Sequence, residues 1–317
     1  MSPSLSRRAF VTGLAGSGLA LGMTGLRAAD RPARKFTMDL VCGNLGVSAK
    51  LPEAIALAHK YGFESVAPDV GFLRQCSESQ LAELKDELKA KKLVWGAGGL
   101  SVDFRGGQDS FQKGLANLAA EAAALHHAGA SRIGTWISPA HKSLTYRANF
   151  KQHATRLREA GKVLGDHGVR LGLEYVGPKT SWTASRFPFI HTMAEMRELL
   201  AAIDLANVGL VLDSWHWYAA HETEADLLSL KGSDVICCDL NDAPAGIPID
   251  QQKDLVRDLP CATGVIDLKT FLNALARIGY DGPVRAEPFK ADLRRMPAEE
   301  AVATTARAMK KAFALVE

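Results

Sequence analysis

Val208-Gly209-Leu210-Val211-Leu212-Asp213-Ser214-Trp215-His216-Trp217-Tyr218 is a short apolar, β-branched run that stops on a carboxylate and continues into polar and aromatic residues. The same ending recurs upstream in Arg170-Leu171-Gly172-Leu173-Glu174, and downstream in Val235-Ile236-Cys237-Cys238-Asp239 and Val284-Arg285-Ala286-Glu287. Near-continuous apolar runs of this kind suit strands of a parallel sheet covered on both faces. Working outward from them, eight such runs are found, at residues 36–41, 64–68, 93–97, 132–137, 170–175, 208–212, 235–238 and 284–286. Between and after them, residues 50–61, 78–91, 108–127, 147–167, 193–203, 223–230, 268–278 and 298–315 carry apolar side chains three or four apart. That is the period of a helix laying one face on a sheet. Eight strand–helix units predict an α/β fold of the (β/α)8 TIM-barrel type. An open doubly wound sheet is the rival, but the first strand runs into Cys42-Gly43-Asn44-Leu45-Gly46, which lacks the glycine-rich phosphate loop of that fold. Without a linker, low-complexity tract or short repeat, residues 30–317 are expected to form one catalytic barrel. The segment 242–267, with Pro244, Gly246, Pro248 and Pro260, is longer than a simple connection and reads as a functional loop.

In a closed barrel the C-terminal ends of neighbouring parallel strands surround one cavity, so Glu174, Asp213, Asp239 and Glu287 are expected to converge there. Four anions in one pocket repel one another and resist ionisation, and a bound cation removes the conflict. Oxygen donors favour a hard divalent metal, with Mn2+ or Mg2+ expected ahead of a structural zinc. Any single acid at a strand end also serves as a helix N-cap or surface ion-pair partner; four in succession favour the shared site. His216, three residues past Asp213, is a candidate for contacting substrate oxygens, with an exposed loop histidine as the plain alternative. Trp182 and Trp215 offer flat faces for a sugar ring, or simply pack under loops. Arg257 is the candidate loop cation for a substrate oxygen, with an ordinary surface charge as its alternative.

Composition narrows the partners. A formal net charge of +3 over 317 residues, with no Lys/Arg-rich block, disfavours nucleic acid and leaves small molecules. The cysteines Cys42, Cys76, Cys237, Cys238 and Cys261 form no C-x-x-C pair and are odd in number, against both a disulfide scaffold and a zinc knuckle. At the N-terminus, Arg7-Arg8 precedes an uncharged, Gly- and Ala-rich stretch at residues 11–26 and then Arg27-Ala28-Ala29. This is the pattern of a twin-arginine export signal over residues 1–29, which places the mature protein in the periplasm or outside. A membrane anchor is the alternative reading. The uncharged stretch is short for a span, so no stable membrane insertion is expected once the signal is removed. A homo-oligomer is left open.

The blocks Leu173-Glu174, Leu212-Asp213-Ser214-Trp215-His216, Asn241-Asp242-Ala243-Pro244, Asp281-Gly282-Pro283-Val284 and Glu287-Pro288-Phe289 resemble the xylose-isomerase-like sugar phosphate isomerase/epimerase superfamily. The resemblance runs from about Phe36 to the C-terminus. It implies a metal held by a Glu, an Asp, a His and a second Glu from strands five to eight. Glu174, Asp213 and Glu287 match three of these, while Asp239 stands where the resemblance expects the His. It further implies isomerisation or epimerisation of a sugar through an enediolate, with Glu174 and Glu287 as the acid/base pair. Export adds the expectation that the carbohydrate is unphosphorylated. A lyase or dehydratase eliminating a group β to the carbonyl of an oxidised sugar or glycoside is the alternative enzyme, and a catalytically degenerate sugar-binding barrel the alternative without catalysis. A metal-dependent apurinic endonuclease on the same barrel would need a histidine-rich metal cluster and a basic face, and neither is visible.

Overall fold

In the computed structural model, which describes residues 34–317, every run expected to be a strand forms one. In chain order the strands are β1 (Thr37–Leu40), β2 (Ser65–Val66), β3 (Val94–Trp95), β4 (Gly98–Gly99), β5 (Arg132–Trp136), β6 (Ala140–His141), β7 (Arg170–Glu174), β8 (Phe187–Pro188), β9 (Val208–Asp213), β10 (Val235–Leu240) and β11 (Pro283–Ala286). Nine of them hydrogen-bond in the order β3-β2-β1-β11-β10-β9-β7-β5-β4, all parallel. The two ends of that order, β3 and β4, are consecutive in the chain and separated only by Gly96 and Ala97. The sheet therefore curls round to one interrupted strand and forms an α/β barrel. The interruption departs from the single run expected at 93–97, and it has a steric companion: a Cβ at Gly96 would run into the buried Asp39 carboxylate. Strands β6 and β8 pair antiparallel as a small separate ribbon. The export segment expected at residues 1–29 lies outside the described residues.

Helices Leu51–Tyr61, Glu78–Ala90, Gln108–Ala128, Tyr146–Gly165, Met193–Ile203, Glu224–Leu228, Leu268–Arg277 and Ala298–Phe313 follow the strands as expected. Their starts are fixed locally. Ser77 and Gln80 form a reciprocal capping box, and the side chains of Thr145, Thr192 and Asp267 accept from backbone amides of the first turn. Each buries an apolar stripe; the helix Leu268–Arg277 buries Leu268, Phe271, Leu272 and Leu275. No helix among the described residues is long and apolar enough to cross a membrane.

The period of two along each strand decides which residues enter the barrel. Leu210, Leu212, Cys238 and Leu240 belong to the large core between sheet and helices, whereas Ala97, Val211 and Cys237 form a small cluster of their own. Glycines at 134 and 172 leave room for that cluster, since a Cβ at either position would meet Val211. Two residues further along, the same inward phase brings Glu174, Asp213, Asp239 and Glu287 to the C-terminal mouth.

Candidate metal and acid–base site

The structure brings the four acids together in two overlapping groups. Ligand atoms of Glu174, Asp239 and Glu287 lie within 4.8 Å of one another, as do those of Glu174, Asp213 and His216. Above them opens a cavity of about 540 Å3 whose wall includes Glu174, His216, Asp254, Arg257 and Glu287. Asp213 and Asp239 lie beneath, 0% and 1% exposed.

Asp213 has two tasks. One oxygen caps a short helix absent from the sequence reading, Ser214–Ala219, accepting from the Trp215 amide at 2.8 Å and from Asn241 Nδ2 at 3.0 Å. The other accepts from Arg257 Nη1 at 2.7 Å. That helix turns His216 into the interior, where it is 1% exposed rather than lying on a loop. The Gly177 amide donates to His216 Nδ1 at 3.2 Å. Burial, reinforced by Arg257, depresses the His216 pKa to about 3, so the ring is neutral. A neutral ring whose Nδ1 accepts carries its proton on Nε2. Nε2 lies 3.6, 3.9 and 3.9 Å from carboxylate oxygens of Asp213, Glu174 and Asp254, and 3.4 Å from Arg257 Nη2. A guanidinium only donates, so with the proton on Nε2 that approach is a contact between two donors, and the Nε2 proton faces the surrounding carboxylates.

Arg257 differs from the surface charge that its composition allows. It is 3% exposed, and Nη1 bridges Asp213 at 2.7 Å and Glu287 at 3.0 Å while Nη2 holds Asp254 at 2.7 Å. Burial works against its charge, but Asp213, Glu287 and Asp254 outweigh burial and hold the guanidinium firmly protonated. The loop 242–267 that carries it is pinned by Asp242, whose carboxylate accepts backbone amides of Ala243, Thr263, Gly264 and Ile266. Asp242 and Asp258 also form a backbone bridge across the loop.

One expectation, the place of the tryptophans, needs correction. Asp239 joins the cluster with Glu174 and Glu287 and is paired as well. Its oxygens accept from Arg285 Nε at 2.6 Å and Nη2 at 3.0 Å, a bidentate pair between register partners of β10 and β11. The negative charge that replaces the expected imidazole is thus matched from the next strand. Trp182 and Trp215 do not line the cavity. Trp182 stacks on His191 with centroids 4.6 Å apart, and Trp215 is fully buried with Arg257 5.4 Å from its ring centroid. The aromatic walls are Trp136 and Phe289. Arg285 and Asp254 join the site unexpected, although Arg285, two residues before Glu287, shares its inward phase.

Six carboxylates (Asp39, Glu174, Asp213, Asp239, Asp254, Glu287) surround two guanidiniums (Arg257, Arg285); with all ionised and His216 neutral, six minus two leaves four uncompensated negative charges. Burial first, then Glu287, Asp239 and Asp213, drives the Glu174 pKa well above the usual glutamate range. Burial and then Asp239 push Glu287 to about 8, and burial lifts Asp213 to about 6 against the pull of Arg257. One Glu174 oxygen, Oε1, is buried without a hydrogen-bond partner. Surplus negative charge, an unpartnered carboxylate oxygen and several oxygen donors within one coordination sphere fit a divalent cation.

The xylose isomerase-like TIM barrel family matches residues 55–312, and the chain belongs to that family. Among its relatives, the inosose isomerase of Bacillus subtilis (strain 168) is 31% identical over 149 residues, 47% of this chain and 50% of that protein. The 3-dehydroshikimate dehydratase of Pseudomonas aeruginosa is 27% identical over 145 residues, 45% of this chain and 22% of that one. The chain thus spans about half the length of the inosose isomerases it matches. A crystal structure of the IOLI protein with a binding zinc atom superposes with a TM-score of 0.71 at 21% identity, covering 87% of this chain and 98% of that one, a likeness of fold.

Proposed function

We propose that the protein is a divalent-metal-dependent isomerase or epimerase of an unphosphorylated keto or aldo sugar, working through an enediolate. The observation that carries this reading is the unpartnered, buried Glu174 oxygen set among Asp213, Asp239 and Glu287. Glu174, Asp213 and Glu287 would hold the metal, with Asp239 contributing the lone pairs that Arg285 leaves open. The zinc named for the IOLI protein supports a divalent ion, and the all-oxygen donor set here favours Mn2+ or Mg2+. A cation so bound supplies Lewis-acid stabilisation of the negative charge that develops on the substrate oxygens.

The protein's own groups supply the rest. One of Glu174 and Glu287 takes the proton α to the carbonyl, and the other returns a proton. Return to the opposite face of the same carbon gives an epimer; return to the adjacent carbon gives an isomer. His216 donates from Nε2 and Arg257 from its guanidinium to substrate oxygens, fixing the carbonyl and its neighbouring hydroxyl. The inosose isomerase relatives support this class of chemistry. A second reading, elimination of a group β to the carbonyl, is favoured by the 3-dehydroshikimate dehydratase relative. Export by the twin-arginine route remains part of the proposal on the strength of Arg7-Arg8 and the segment after it.

The test is purified protein with Mn2+ in deuterated water, offered ketoses, aldoses, cyclic polyol ketones and 3-keto-glycosides. Deuterium entering an α-carbon is the expected result, with a rearranged sugar under the first reading and a released group under the second. Binding of these compounds with no exchange in any of them would leave a sugar-binding barrel and end the catalytic reading.

A further inference from the structure

The cavity has two chemically different parts. Its deep wall is polar and ionisable: Glu174, His216, Arg257 and Glu287 are buried or nearly so. Its outer wall is apolar, formed by Trp136, Pro139, Val176, Ala184, Leu255 and Phe289. Among the described residues the exposed large apolar side chains are Val94, Trp136, Ile247, Leu255 and Val256, and two of these five, Trp136 at 49% and Leu255 at 68%, stand on this wall. They arrive from different elements. Trp136 ends β5 in register with Glu174, while Leu255 rides on the loop 242–267.

These side chains are held in place. The Arg105 guanidinium lies 4.1 Å from the Trp136 ring centroid and donates to Thr135 Oγ1 at 3.0 Å and to the Trp136 carbonyl. Trp136 is thereby backed by a cation and fixed while half its surface stays open. Leu255 follows Asp254, which Arg257 holds at 2.7 Å. Phe289 has φ +35°, a backbone conformation an L-residue adopts only when its surroundings impose it, and Arg257 and Arg294 stand 4.7 and 5.6 Å from its ring centroid. Open apolar side chains held rigid beside a reactive floor are what a ligand with an apolar end requires. The volume agrees, since about 540 Å3 falls within the ~300–1,000 Å3 of cavities that enclose drug-sized ligands.

We infer that the outer wall is a subsite for an apolar, preferably aromatic, group attached to the sugar, so that the substrate is a glycoside or similar conjugate that carries a ketone on a ring carbon other than the anomeric one, where the α-proton can leave, and not a free monosaccharide. The sugar occupies the polar floor, and the attached group lies between Trp136 and Leu255. This rests on the proposed function only in taking the floor as the sugar end. A polyhydroxylated ring alone would leave this wall uncovered and gain nothing from it.

The test is binding, without turnover, of matched methyl and phenyl glycosides of gluco, galacto, manno and xylo configuration. Full-length Mn2+-loaded protein is titrated by calorimetry. At least one configuration is expected to bind the phenyl member about tenfold tighter than the methyl member, equivalent to ~1.4 kcal/mol. Trp136→Ala and Leu255→Asn should each remove most of that preference and leave the methyl affinity within about twofold. Leu255 is exposed, so its variant keeps the fold even if the Trp136 variant does not. Equal affinities throughout would overturn the subsite, as would a phenyl preference that survives Leu255→Asn. A change of sedimentation coefficient in Leu255→Asn with unchanged phenyl affinity would assign the wall to a second copy of the chain instead. Deuterium exchange is read separately. Exchange on free sugars without a phenyl preference sinks only the subsite, and a phenyl preference without exchange on any substrate sinks only the enolisation.

Discussion

Two buried carboxylate–guanidinium pairs sit side by side at the barrel mouth and behave differently. Asp213 and Asp239 are register partners on β9 and β10, both nearly inaccessible. Asp239 is gripped at both oxygens by Arg285 from the adjoining strand, so backbone register fixes the pair. Asp213 receives one N–H from Nη1 of Arg257, which comes from a long loop, donates from the same nitrogen to Glu287 and also lines the cavity. The strand-borne arginine belongs to the scaffold; the loop-borne one is, under the proposed function, a group that contacts substrate.

The sharpest break lies at the acids that neither arginine captures fully. Glu174→Gln and Glu287→Gln should each lower α-deuterium exchange by about a thousandfold, within the range for lost acid–base catalysis, with circular dichroism unchanged. A variant that keeps near-full exchange would remove that residue from proton transfer. Next come the arginines. Arg285→Leu strands a buried carboxylate and should cost about 3–5 kcal/mol of stability, read as a lower urea midpoint. Arg257→Leu should cost less, because Asp213 keeps the Trp215 amide and Asn241 while Asp254 and Glu287 stand on the cavity wall where water reaches them, and should show itself mainly as a raised KM. Equal destabilisation by both would erase the distinction drawn between the pairs.

Metal affinity gives a finer reading. Asp239→Asn should weaken Mn2+ binding by about tenfold, the lower end for groups that only support a metal ligand, and Asp213→Asn by at least about a hundredfold. The reverse order in a manganese titration would make Asp239 the principal ligand. The smallest effect is on pH. Glu287 is raised from 4.5 to about 8 and Asp213 from 3.8 to about 6, so folding favours their protonated forms. Their contribution to stability is complete below the ordinary carboxylate values and is lost as pH rises through 6 and then 8. Melting temperature measured in chelator should fall across that window. Saturating Mn2+, which binds the ionised carboxylates, should flatten the fall.

Much of this was legible because a parallel strand has an exact period of two and a barrel gives that period an inside. Val211 and Asp213, Cys237 and Asp239, and Gly172 and Glu174 are each two apart, so an apolar or small inward residue is followed by an inward acid at the mouth. The same rule applied to Arg285 and Glu287 would have paired the arginine with Asp239. Reading only the terminal residue of each strand passed it over. Trp136 was hidden for the same reason, inside a run read as plain strand. What period cannot reveal is contact across sequence. The placing of Asp254 and Arg257 depends on Asp242 collecting amides more than twenty residues away. The helix Ser214–Ala219 exists because Asp213 caps it, which turned a loop histidine into a buried donor. Trp182 and Trp215 were chosen by type and proximity in sequence, and packing assigned them elsewhere.

The most direct test is anomalous scattering at the manganese edge from crystals grown with Mn2+. One strong peak is expected within coordination distance of Glu174, Asp213 and Glu287 carboxylate oxygens, with Arg285 still paired to Asp239. Crystals in which these acids keep their places, yet show no anomalous density between them at saturating Mn2+, would contradict that expectation.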